Sequence, residues 1–277
     1  MPLLGVAAAA PSDVEHQRQR FVETVDQILP KRNEIIEKFN ELVETFNDHF
    51  SGPFGWWRRS VSSRAEYEEG KAALEQVRRD LEETPFPEET GGGSILDVAD
   101  RVINQHTPVV SLFLTSLDWV ERSMTPLSDL YVDVFTPADG RRLEDWDDQA
   151  RAAYDDIVAQ QQKSVEAAKD IASFMSAWLA GIADDNVEYV VFLLSQLAEI
   201  ANKIVAAIAA LVDSFGVFTL LELAELVGQL VEDAINVLGE TARRISSAIQ
   251  TVIEAERVLN DHSFFPDGNW PVAVDRP

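Results

Sequence analysis

The stretch D-V-E-H-Q-R-Q-R-F-V-E-T-V-D-Q-I-L-P-K-R-N-E-I-I-E-K-F-N-E-L-V-E-T-F-N-D-H-F, residues 13–50, decides the fold class. Apolar side chains recur in it on a seven-residue lattice. Val22, Leu29, Ile36, Val43 and Phe50 form one row, beside Phe21, Ile28, Ile35 and Leu42. A repeat of that length keeps the apolar residues on one face of an α-helix, so a long amphipathic helix is expected. Pro30 removes one internal hydrogen bond, but the apolar rows stay in phase across it, which favours a kink over two abutting helices.

Working outward, S-G-P-F-G-W-W-R-R-S from Ser51 breaks the pattern and reads as a turn. Ser63 with Glu66 has the spacing of a capping box, and Tyr67, Leu74, Val77 and Leu81 continue as the stripe of a second helix. Residues 13–83 are thus expected to form a helical hairpin after a flexible N-terminus, 1–12. The Pro- and Gly-rich segment 84–93 is a linker. Residues 94–183 then give a second hairpin interrupted by Pro108 and Pro126, and 184–260 a third, very apolar one. An irregular tail, 261–277, ends the chain. Period-two alternation is absent, so the expected fold is all-α, with long antiparallel hairpins forming an elongated bundle.

Composition narrows the function. The chain has 277 residues, 46% of them hydrophobic, enough for a sizeable core. A formal charge of -25 repels a phosphate backbone, which argues against nucleic acid, and it opposes adsorption to anionic lipid by charge. No cysteine is present, so thiolate chemistry and disulfides are excluded. No Lys or Arg precedes Arg18, so the apolar start is expected to lack the charged region of a signal peptide. The histidines at 16, 49, 106 and 262 lie in separate segments, and Asp13 with His16 has no second copy to complete a bundle metal site. No nucleophile, phosphate-binding or dinucleotide-binding pattern stands in the context it needs. No catalytic residue, cofactor or metal is expected, and the chain does not read as an enzyme.

The segment D-G-R-R-L-E-D-W-D-D-Q-A-R-A-A-Y-D-D-I-V-A-Q-Q, from Asp139 to Gln161, resembles the turn and second helix of the WXG superfamily. Trp146, Ala150, Ala153, Tyr154 and Gln160 match that pattern, while Asp148 stands where the family carries glycine. In outline the resemblance runs over about residues 94–260. It implies a longer actinobacterial substrate of a type VII (ESX-type) secretion system, secreted or held at the cell surface without a signal peptide. Residence in the cytoplasm is the alternative. The resemblance also implies a helical protein partner or self-association, and contact with the secretion machinery. Trp146 and Tyr154, with Trp56 and Trp57 at the first turn, are the candidate recognition residues.

A membrane-acting alternative rests on the apolar hairpin at 187–231. Glu188, Glu199, Lys203, Glu222 and Glu225 lie along it, and each charge near a bilayer centre costs about 2.5–3.5 kcal/mol.

Overall fold

A computed structural model of the chain describes residues 7–51, 61–86, 92–135, 148–212 and 216–259. Trp56, Trp57, Trp146 and the tail 261–277 lie outside the described residues. The fold is all-α. In chain order the helices are α1 (Pro11–Ser51), α2 (Val61–Glu82), α3 (Ile95–Asn104), α4 (Thr107–Trp119), a π-helical turn (Val120–Met124), α5 (Thr125–Phe135), α6 (Asp148–Val212) and α7 (Gly216–Leu259). No strand occurs among the described residues.

Tertiary contacts divide the chain into two units: 1–18, 109–184 and 245–277 in the first, and 19–108 with 185–244 in the second. In the second unit α1 packs against α2 as an antiparallel pair. Its closed end is an aromatic cluster in which the Phe46 ring stacks on Tyr67 at 5.6 Å and meets Phe50 at 4.9 Å. Of the two apolar rows of α1, the one formed by Phe21, Ile28, Ile35 and Leu42 is buried, whereas Leu29 in the other is 45% exposed. Pro30 lies inside the unbroken helix on its exposed side, where water can bond the carbonyl that lacks a donor. Helix α2 is already helical at Val61, which puts Ser63 inside the first turn rather than at a capping position.

The capping box forms instead at α3. The Ser94 hydroxyl accepts from the Asp97 backbone N–H at 3.3 Å, and the Asp97 carboxylate accepts from the Ser94 N–H at 2.8 Å. Just before it, the chain turns through Gly92 and Gly93 at φ 65° and 83°, values that glycine adopts without Cβ strain. Phe86 is buried and its N–H bonds the Gly93 carbonyl, so the described ends of the 84–93 segment are tied to one another. Both flanks of that segment belong to the second unit.

Helix α6 runs unbroken through 183 and 184, where one hairpin was expected to end and the next to begin; the border between the two units, at 184 and 185, falls within this continuous helix. Nothing in A-G-I-A-D-D-N-V, residues 180–187, breaks a helix outright: a single glycine costs only about 1 kcal/mol. Beyond it, Val190, Leu193, Leu197, Ile200, Ile204, Ala207 and Leu211 alternate three and four residues apart and are all buried. Leu220, Ala224, Val227, Val231, Ala234 and Leu238 of α7 keep the same spacing, which lets two long helices bury one continuous seam. Arg244 closes the far end of this antiparallel pair against Asp185 and Glu188 at 3.4 and 3.6 Å.

Tyr189, on the buried side of α6, places its hydroxyl where no protein group bonds it. Burial pushes that hydroxyl well above the usual tyrosine range, with the Arg101 charge opposing the shift. The fold therefore favours the neutral form. Its contribution is intact below the ordinary tyrosine value of about 10 and is lost as pH rises beyond it. Spectrophotometric titration is expected to show a tyrosine that ionises only above the usual range and that Tyr189→Phe removes. Because an unbonded buried hydroxyl costs about 1–3 kcal/mol, Tyr189→Phe is expected to raise the unfolding free energy by about 1 kcal/mol at neutral pH. A loss of stability in denaturant unfolding would contradict this.

Candidate interaction surface

In the first unit, α4 reads T-P-V-V-S-L-F-L-T-S-L-D-W, which is apolar on more faces than one neighbour can cover. Pro108 sits in its first turn, where the missing N–H has no helical acceptor to lose. Phe113, Ser116 and Val120 form the inward side and are buried. Ser116 faces α6, its hydroxyl donating to the Ser176 carbonyl at 2.9 Å with the Ser176 hydroxyl 3.2 Å away. Two small residues let the helices approach closely there. Further along, the Tyr131 hydroxyl bonds Glu166, and that carboxylate holds the phenol above its usual range. The two contacts run α4–α5 antiparallel to α6.

Proline at 126 cannot supply the next helical donor, and the helix widens just before it. The Thr125 N–H bonds the Val120 carbonyl in a π-helical turn, and the Thr125 hydroxyl bonds the same oxygen at 3.0 Å. One residue is thereby absorbed, which sets everything after it back by about 100° around the axis. Leu114 and Leu130 would stand about 160° apart on a regular helix; the π turn brings them within about 60°.

The result is an outward row at four-residue spacing: Leu114, Asp118, Arg122, Pro126 and Leu130, all exposed. Leu114 is 51% exposed and Leu130 41%. Between the leucines Arg122 and Asp118 pair at 3.1 Å, an exposed i,i+4 contact of small energetic value. Glu121 and Asp129, beside the row, are exposed and have no intramolecular partner among the described residues. Two large leucines and a band of acid thus face outward from a helix whose opposite side is already packed.

No family model, curated protein or solved structure matches this chain.

Of the recognition residues expected from the sequence, Tyr154 is described. It stands in the second turn of α6 and is 37% exposed. From Gln149 to Asp156 every residue of that helix is exposed, Ala150, Ala152 and Ala153 included. Trp146, Trp56 and Trp57 fall outside the described residues. Leu114, Arg122 and Leu130 were not singled out from the sequence, although the all-round apolarity of α4 was a signal for them.

The first unit also holds a cavity of about 480 Å³ between the start of α1, Phe113 of α4 and a small-residue stretch of α6 at Ala177, Ala180 and Gly181. Asp13, His16 and Asp184 stand on its rim, and the occluded Gln17 Oε1 has no hydrogen-bond donor. Among the described residues no group of three or more His, Asp or Glu is placed to hold a metal ion. His106, at the corner between α3 and α4, has Nδ1 2.8 Å from the Ile103 carbonyl and is satisfied locally.

Proposed function

We propose that this protein is a non-enzymatic helical interaction protein, exported as a substrate or delivery scaffold of a type VII secretion system. The observation that carries the interaction reading is the outward pair Leu114 and Leu130, apolar residues kept in water on a helix packed on its other side. The WXG-like segment around Trp146 and Tyr154 supports the secretion reading. A helical partner is the expected companion. In an actinobacterial host, a tagged chain is expected in the culture filtrate when the type VII ATPase is present and to stay in the cells when it is deleted. Trp146→Ala is expected to lower export while leaving the melting temperature unchanged. Equal secretion with and without the ATPase would sink the secretion reading.

A second reading, insertion into a membrane, has one observation in its favour. Within the described residues, Gln149–Leu211 is long and apolar enough to span a bilayer, with a window of mean hydropathy 1.6 of which 33% is buried. The lower half of that helix, however, spends its seam on α7 inside the second unit, and Glu199 with Lys203 forms an ion pair on its outer side. Insertion would have to open that seam. Dye release from neutral vesicles by the folded chain would favour the membrane reading over the one proposed.

A further inference from the structure

We propose that the outward row of α4–α5 is a docking site for a basic amphipathic helix, with partner lysines or arginines flanking an apolar stripe. The inference rests on the interaction reading above and names the chemistry of the partner.

Three features point the same way. Leu114 and Leu130, four turns apart, are the two large apolar side chains exposed along the row, one near each end of it. The π turn at Val120–Met124 is what brings these leucines toward one side of the helix. Glu121 and Asp129 border the row, and its single base, Arg122, is already engaged by Asp118 within the row. A partner helix with basic flanks neutralises Glu121 and Asp129 while covering the leucines.

Charge rejects the other occupants. A second copy would set the same acids opposite one another, on a molecule that carries -25 overall. An anionic lipid surface meets the same repulsion, since membrane recruitment by charge uses basic residues.

The test uses the full chain and two synthetic amphipathic peptides, one of leucine and lysine in helical register and one of leucine and glutamate in the same register. The leucine–lysine peptide is expected to bind and its acidic counterpart not. Replacing Leu114→Asn together with Leu130→Asn is expected to weaken binding about tenfold or more. Both sites are exposed, so the melting temperature should fall by no more than the lower helix propensity of asparagine accounts for.

Glu121→Gln with Asp129→Asn is expected to weaken binding several-fold and to flatten its dependence on salt between about 0.1 and 1 M, where screening shortens from about 10 to about 3 Å. Glu44→Gln with Asp48→Asn, exposed acids of the second unit, serves as the control and should leave binding unchanged. Any of four results would overturn the proposal: equal binding by the leucine variant, an equal loss in the control, dimerisation in sedimentation that the leucine variant abolishes, or association with phosphatidylserine vesicles through the same leucines. Loss of peptide binding with ATPase-dependent export retained would discard the docking site and leave the secretion reading standing.

Discussion

Replacing Gly70 by alanine is expected to destabilise the protein by about 1–3 kcal/mol, although the same change on an exposed helix would stabilise it by about 1 kcal/mol. Gly70 lies buried in α2, facing the aromatic cluster. A Cβ at that position would stand 2.6 Å from Phe46 Cε2, 3.0 Å from Cζ and 3.4 Å from Leu220 Cδ1. The Phe46 ring has little room to retreat, since Phe50 and Tyr67 hold it on two sides. The helix-propensity gain is therefore smaller than the overpacking cost. Phe46→Leu, which shortens the ring side, should recover part of the loss when combined with Gly70→Ala, a non-additivity that urea unfolding of both singles and the double measures. A Gly70→Ala protein as stable as the parent would show that the cluster yields freely.

Truncation of Leu197 to alanine should cost more, about 2–5 kcal/mol. Leu197 is fully buried at the middle of the α6–α7 seam, and its neighbours Leu193, Ile200 and Ile204 are also buried. With each of them fixed by the next turn, the space left by the missing methyls cannot collapse. Leu221→Ala, at an α7 position that is 43% exposed, should stay within about 0.5 kcal/mol of the parent. The contrast bears on function as well as stability. Were the apolar residues of α6 held for lipid, Leu197 would not be consumed by packing in the folded chain, and the two substitutions would have similar small effects in solution.

Much of the scaffold was readable from sequence because a long helix writes its periodicity over many residues. Residues 13–50 and 61–82 are cases in point, and so is the three-and-four alternation of α6 beyond Val187. Single-turn features were read less well. The capping signal at Ser63 was local and depended on where the helix starts, while the equivalent S-x-x-D at Ser94 forms the cap. The boundary expected at 183 and 184 falls beside the border between the two units at 184 and 185, but no break in the helix marks it, since a helix continues wherever its backbone bonds continue. The recognition residues fared differently, since three of the four lie outside the described residues and Tyr154, in the second turn of α6, is 37% exposed.

By itself the sequence determined that this chain is helical and that its helices are long; these follow from period, which is a property of the chain alone. Only tertiary structure decided which of two adjacent apolar rows is core. Ile28 and Leu29 are neighbours of similar size, yet one is fully buried and the other 45% exposed; Phe113 and Leu114 divide in the same way. Consecutive residues on a helix point about 100° apart, so when both are apolar the pattern fixes a broad face, and the partner helix alone chooses which half of it to cover.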